Sequence, residues 1–194
     1  MNIEYEAKFI NIDKEEMWAR LMRAGAELVR KEYMQKRFVF DLPPGNKTKG
    51  GFVRVRDEGD KVTLTLKIFD GNTISDQKEI LTTVGDLDST VDMLRIIGCI
   101  PRAYEESKRE LWKMGTVDIT IDSWPFLEPY VEIEGSSEEV VKEISEKLGF
   151  EWSKAKFCAA GMVYVEKYGM GPADLAKKTG KMTNLLFEGE NPFV

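Results

Sequence analysis

Five stretches of this chain alternate apolar and polar residues one by one, and on most of them the polar side is dense with charge. In Ile3-Glu4-Tyr5-Glu6-Ala7-Lys8-Phe9, the residues Ile3, Tyr5, Ala7 and Phe9 fall on one face of a strand and Glu4, Glu6 and Lys8 on the other, because strand side chains point alternately to the two sides. Arg54 and Arg56 oppose Val53 and Val55, and Lys61, Thr63, Thr65 and Lys67 oppose Val62, Leu64, Leu66 and Ile68. Asp118, Thr120 and Asp122 oppose Val117, Ile119 and Ile121, while Glu132 and Glu134 oppose Val131 and Ile133. A single strand of this kind is ordinary for a sheet with one wet side. The set is not: acids dominate the first and last strands and bases the middle, whereas surfaces usually mix signs residue by residue. Helices need an apolar sheet face to pack on. If the sheet closes into a barrel, that face is outside, the charged faces turn inward, and no strand edge is left exposed.

Helical and turn signals separate these strands. Asp13 and Glu16 have capping-box spacing ahead of Met17, Leu21 and Ala24, with Gly25 as the stop. A strand over 28–40 runs to Pro43-Pro44-Gly45. A hairpin follows over 52–56 and 62–69, then a strand over 74–81. Leu87, Val91 and Leu94 mark a second helix closed by Gly98. Strands over 103–114 and 117–124 meet at Gly115, and a further strand covers 130–134. Ser136 and Glu139 form a second capping box for a helix with Val140, Ile144 and Leu148 that stops at Gly149. Strands joined mainly by hairpins, with isolated helices between them, predict a mainly antiparallel α+β domain. The composition shifts near Gly169-Met170-Gly171-Pro172, which divides the chain into a domain over 1–168 and a tail over 169–194 with a short helix over 173–178. Leu185, Leu186, Phe187 and Phe193 make that tail apolar enough to dock.

Composition narrows the chemistry. The 194 residues contain no histidine, which excludes Ser-His and Cys-His nucleophile systems and His-ligated zinc. Cys99 and Cys158 are the only cysteines; they lack metal-ligand spacing and read as free thiols of a reducing, cytoplasmic compartment. No apolar run approaches the roughly 18 residues of a membrane span, and charges interrupt any N-terminal signal pattern at once. With 28 Lys and Arg against 34 Asp and Glu, nucleic-acid binding driven by bulk charge is not expected. A homodimer is compatible with this composition.

Enclosed acids could not all stay ionised unaided, because crowded like charges raise one another's proton affinity. A hard divalent cation relieves that crowding, and Mg²⁺ and Mn²⁺ prefer carboxylate oxygens. Glu4, Glu6, Asp122, Glu132 and Glu134 are the candidate ligands. Lys8, Arg54, Arg56, Lys67 and Arg109 suit phosphate oxygens, which the guanidinium fork can clamp in pairs. A linear triphosphate bridging bases and metal fits both sets. Weaker candidates are Gln77 and Glu79 as tunnel lining, Trp112, Trp124 and Trp152 as stacking surfaces, and Lys47 and Lys49 at a tunnel mouth.

Glu4-x-Glu6-x-Lys8 on an N-terminal strand resembles the ExExK signature of the CYTH superfamily, the triphosphate tunnel metalloenzymes. The likeness extends through Arg54-Val55-Arg56, Leu64-Thr65-Leu66-Lys67, Lys78-Glu79, Lys108-Arg109-Glu110-Leu111-Trp112, Ile121-Asp122 and Tyr130-Val131-Glu132-Ile133-Glu134-Gly135. It implies a closed antiparallel barrel of about eight strands with helices packed outside. It also implies Mg²⁺ or Mn²⁺ on Glu4, Glu6, Glu132 and Glu134, with Asp122 a further ligand candidate, and phosphates on Lys8, Arg54, Arg56, Lys67 and Arg109. Glu4, Glu6 and Lys8 are then the catalytic candidates, Lys8 orienting the attacking group. Two positions depart from the common pattern: Lys36-Arg37 stands where many relatives carry an acid, and the usual Lys-x-Arg reads Ser107-Lys108-Arg109. Lys108 enters the phosphate set through the resemblance, although strict alternation turns it outward. The activity expected is metal-dependent hydrolysis of inorganic, nucleoside or thiamine triphosphate. The alternatives are an adenylyl cyclase of the same superfamily, which needs a purine pocket, and a non-catalytic polyphosphate or nucleotide binder.

Overall fold

The computed structural model describes residues 1–46, 48, 50–171 and 183–194. Lys47, Lys49 and the helix expected over 173–178 lie outside the described residues. The elements are β1 (Asn2–Ile3), β2 (Tyr5–Phe9), α1 (Lys14–Ala24), β3 (Glu27–Asp41), β4 (Gly51–Asp57), β5 (Val62–Phe69), a 3₁₀ turn (Ile74–Asp76), β6 (Gln77–Val84), α2 (Leu87–Ile96), β7 (Ile100–Met114), β8 (Val117–Ser123), β9 (Tyr130–Gly135), α3 (Glu138–Lys147), a 3₁₀ turn (Trp152–Lys154), α4 (Ala160–Tyr168) and β10 (Thr183–Leu185).

Strand pairing runs β1-β6-β5-β4-β3-β7-β8-β9-β2, antiparallel throughout. The path begins and ends on the two halves of one N-terminal strand, so the sheet is a nearly closed barrel. Counted that way it has the expected eight strands. The halves part at Glu4, whose N–H donates to the Gln77 carbonyl (2.9 Å). Off the path, β10 pairs in parallel with the N-terminal half of β7, the part that extends past the end of β8.

Alternation is obeyed strand by strand. Ala7, Phe9, Ile119, Ile121, Val131 and Ile133 form the outer core with Met17 and Leu21 of α1 and Val141 of α3. Phe40, Val53 and Val55 do the same with Val91 and Leu94 of α2. A third cluster joins Trp124 and Tyr130 to Tyr164 of α4 and to Leu185 and Phe193. Asp13 caps α1 by accepting from the Glu16 N–H (2.9 Å), and Gly25 closes it with φ of 80°, a left-handed conformation that costs glycine little.

Several boundaries differ from expectation. The strand expected from residue 74 starts at Gln77, because the 3₁₀ turn occupies Ile74–Asp76. The third helix is capped by Ser137, accepting from the Val140 N–H (3.4 Å), one residue later than the Ser136 box. α4 lacks any side-chain cap, which left it without a start signal. Cys99 and Cys158 are both free. No helix among the described residues is long and apolar enough to cross a membrane.

Candidate active site

The inward strand faces enclose a cavity of about 630 Å³, within the range of about 300–1,000 Å³ typical of small-molecule sites. Glu4, Glu6, Lys8, Arg54, Arg56, Lys67, Arg109, Glu132 and Glu134 all face it. Its charges divide into distinct groups, set by strand register.

Glu6 lies opposite Glu134 across β2 and β9. With Glu4, these offer carboxylate oxygens within 4.8 Å of one another. The Lys67 ammonium bonds both Glu4 oxygens (2.7 and 2.8 Å) and approaches Glu79 (3.5 Å) and Glu6 (3.9 Å). Burial would raise the Glu4 carboxyl, but Lys67, with Lys8 and Arg54 behind it, offsets this and holds it below the usual range. Glu134, exposed at one end of the group, has no hydrogen bond or ion pair among the described residues: partial desolvation, then the Glu4, Glu79 and Glu132 carboxylates, push it up to about 7 although Lys67 pulls the other way. Three hard oxygen donors, one of them straining against ionisation, fit a divalent cation.

A second group centres on Arg109. It grips Asp122 with two bonds (2.7 and 2.8 Å) and Glu132 with a third (2.6 Å). Lys8 ion-pairs with Glu6 and with Glu132 (3.2 Å). Burial opposes ionisation of Glu132, yet Lys8 and Arg109 hold its carboxyl far below the usual range. Asp122, 1 % exposed and also bonded by Thr120 (2.8 Å), has both oxygens committed. Expected as a further metal ligand, it instead pairs with Arg109 here and stands outside the three-carboxylate group. Glu132 belongs to the same cluster and stands outside the three-carboxylate group.

The arginines behave unequally. Arg56 donates twice to Glu58 (2.9 and 2.7 Å), a buried acid at the turn after β4. Arg54 makes one long bond to Thr65 (3.3 Å) and its Nε is buried without a partner. Arg37 bonds Gln35 (2.8 Å) and Ser107 and stacks on Trp124 (4.4 Å), and its Nε is likewise unpartnered. Burial, then neighbouring arginines, lowers Arg54 to about 9 and Arg37 to about 10. Neither has a carboxylate within 4.0 Å among the described residues, so buried Arg37 and half-buried Arg54 face the cavity without a close counter-ion. Arg37 was not among the expected site residues, yet Phe38 and Phe40 outward imply Arg37 inward.

Lys108 is the clear departure. It lies on the other face of β7, its ammonium 5.0 Å from the Phe187 ring, so the phosphate role is corrected in favour of strict alternation. Glu79 lines the cavity. Gln77 instead ties down β2 by donating to the Glu6 carbonyl (2.9 Å). Trp112 and Trp152 pack outside the barrel, and Trp124 reaches the cavity.

The CYTH domain family model matches residues 2–157. Among solved structures, a conserved hypothetical protein from Pyrococcus furiosus superposes with a TM-score of 0.69 at 21% identity, covering 82% of this chain and 99% of its own. A protein from Vibrio parahaemolyticus named a candidate adenylate cyclase gives 0.71 at 14% identity, over 84% and 98%. A Hippeastrum protein, named a candidate adenylyl cyclase and described as having a dominant triphosphatase activity, gives 0.54 at 14%, over 87% and 97%. No curated protein sequence matches. The barrel, its inward charges and the family match over most of its length lead to one conclusion: the chain belongs to the CYTH domain family.

Proposed function

We propose that the protein is a divalent-metal-dependent triphosphate hydrolase. One observation carries the reading: a single cavity holds two arginines, Arg37 and Arg54, with no carboxylate within 4.0 Å among the described residues, and three converging carboxylates of which Glu134 has no ion-pair partner among them. A buried charge without a partner is costly, and polar groups left in that state mark a ligand's place. A linear triphosphate with a divalent cation supplies both missing charges at once.

Glu4, Glu6 and Glu134 would hold Mg²⁺ or Mn²⁺. When bound, such a cation supplies positive charge to phosphate oxygens and acidifies a water. Arg37 and Arg54 clamp the phosphate chain with guanidinium charge that no close carboxylate neutralises among the described residues. Asp122 and Glu132 keep Arg109 extended into the cavity. Lys8, held between Glu6 and Glu132, is aimed at the phosphoryl region rather than free to rotate. In phosphoryl transfer most of the rate comes from such positioning and charge. The dominant triphosphatase activity of the Hippeastrum fold neighbour supports this chemistry.

The test is release of inorganic phosphate from inorganic triphosphate and from ATP with Mg²⁺ or Mn²⁺, with cyclic AMP followed in parallel. Metal-dependent phosphate release that falls at least ~100-fold in Glu4→Gln, the scale of removing one preorganised charge, is the expected result. Cyclic AMP with pyrophosphate as the only products overturns it in favour of a cyclase. Tight binding without turnover favours a binder.

A further inference from the structure

The cavity is larger and less polar than a bare triphosphate requires, and its least polar wall is built from residues beyond the matched region 2–157. Tyr164 comes from α4, Leu185 from β10 and Phe193 from the C-terminal end, and all three are buried against the cavity. The Tyr164 and Phe193 rings pack at 4.8 Å. β10 continues the sheet beside β7, placing Leu185 next to Glu105, while β3 places Arg37 on the other side of Glu105. Val39 and Ala103, register partners on β3 and β7, complete the wall.

Glu105 is the anomaly here. It faces the cavity, yet it has no hydrogen bond and no cation within 4.0 Å among the described residues, although Arg37, Arg102 and Arg54 are near enough for their charges to act on it. The Tyr164 hydroxyl is already given to the Pro125 carbonyl (2.7 Å), which leaves Glu105 as the acceptor of this wall. A carboxylate set against Leu185 and aromatic rings, beside arginines facing the phosphate region, is placed to receive N–H groups of a flat apolar ring joined to that phosphate chain.

We propose that Glu105, with Val39, Ala103, Tyr164, Leu185 and Phe193, is a recognition compartment for the non-phosphate part of the substrate, a nitrogen heterocycle that donates a hydrogen bond to Glu105. The inference rests on the triphosphatase reading and adds selectivity to it: the substrate is an organic triphosphate, and the C-terminal segment helps to choose it. A site built around an unpaired, half-buried acceptor disfavours ligands that lack the matching donor.

The test is the ratio of kcat/KM for ATP to that for inorganic triphosphate, with methyl triphosphate as the control lacking a heterocycle. In wild type the ratio favours ATP, and methyl triphosphate behaves like the inorganic compound. Glu105→Gln lowers the ratio about 10-fold, mainly through KM for ATP, the scale of one charge-assisted hydrogen bond. Leu185→Trp fills the compartment and lowers it further. If neither compound is turned over, calorimetric dissociation constants with Mn²⁺ give the same ratio. A ratio that neither variant moves, with inorganic triphosphate still hydrolysed, overturns the inference and leaves the triphosphatase reading intact. Failure to bind either compound overturns both.

Discussion

Arg54 and Arg56 stand two residues apart on one strand, face the same cavity and do different work. Arg56 is neutralised by Glu58, so Arg56→Ala strands a buried carboxylate, a change that typically costs about 3–5 kcal/mol. Denaturant unfolding is expected to show that loss, and Glu58→Gln combined with it is expected to restore much of the stability. Arg54 has no carboxylate within 4.0 Å among the described residues. Arg54→Ala should leave the unfolding midpoint little changed and raise KM for triphosphate at least ~10-fold, the scale of a lost charge-assisted bond. Equal stability losses in the two variants would contradict the division of roles. Glu134 carries a pH signature. Its carboxyl, raised from 4.5 to about 7, holds a proton in the folded chain that the unfolded chain has released, so apo stability falls as pH rises from about 4.5 to 7 and stays lowered above it. Glu134→Gln is expected to flatten that slope in thermal unfolding. Because the carboxylate must ionise to ligate, Mn²⁺ affinity in wild type is expected to climb with pH up to about 7 and level off. Affinity independent of pH across that window would remove Glu134 from the ligand set.

At the scale of elements, what was legible was parity. The period of two is a property of the strand backbone, so once Phe9, Val55, Leu66, Ile121 and Ile133 are read as core, the placement of Lys8, Arg56, Lys67, Asp122 and Glu132 follows. Even Lys108 obeyed it against the family pattern, and Arg37 was readable in the same way. Pairing partners were not legible. That Asp122 would be used up by Arg109, or Arg56 by Glu58, depends on register across strands, which alternation within one strand does not specify. Helix ends followed their capping chemistry where it was unambiguous, as at Asp13, and slipped by one where Ser136 and Ser137 compete. Asp13→Ala tests the reading at α1: loss of the cap costs about 1 kcal/mol, a drop in Tm of about 2–4 °C for a chain of this size, with kcat unchanged because α1 packs outside the barrel. A change in kcat would mean that the outer helices set the cavity's geometry.

On the scale of the whole molecule, the barrel solves an electrostatic problem by segregation. Acids from the N-terminal strand and β9 meet near Glu134, arginines from β3 and β4 meet near Arg54, and the ion pairs of Lys8, Lys67 and Arg109 lie among them. α4 and β10 were not legible because they follow no periodic charge pattern: α4 starts at Ala160-Gly161 without a cap, and β10 is three residues long. β10 depends on the finished barrel, since it only extends the edge that β7 leaves past the end of β8.

The most direct test of a shared cation and phosphate site is calorimetric: Mn²⁺ binding measured with and without inorganic triphosphate, after subtracting complex formation in solution. Two ligands in one cavity with complementary charge must strengthen each other by the same factor, so triphosphate is expected to tighten Mn²⁺ at least ~10-fold and Mn²⁺ to tighten triphosphate equally, with both effects abolished in Glu134→Gln. Independent binding of the two, or coupling that survives that substitution, would contradict a common site.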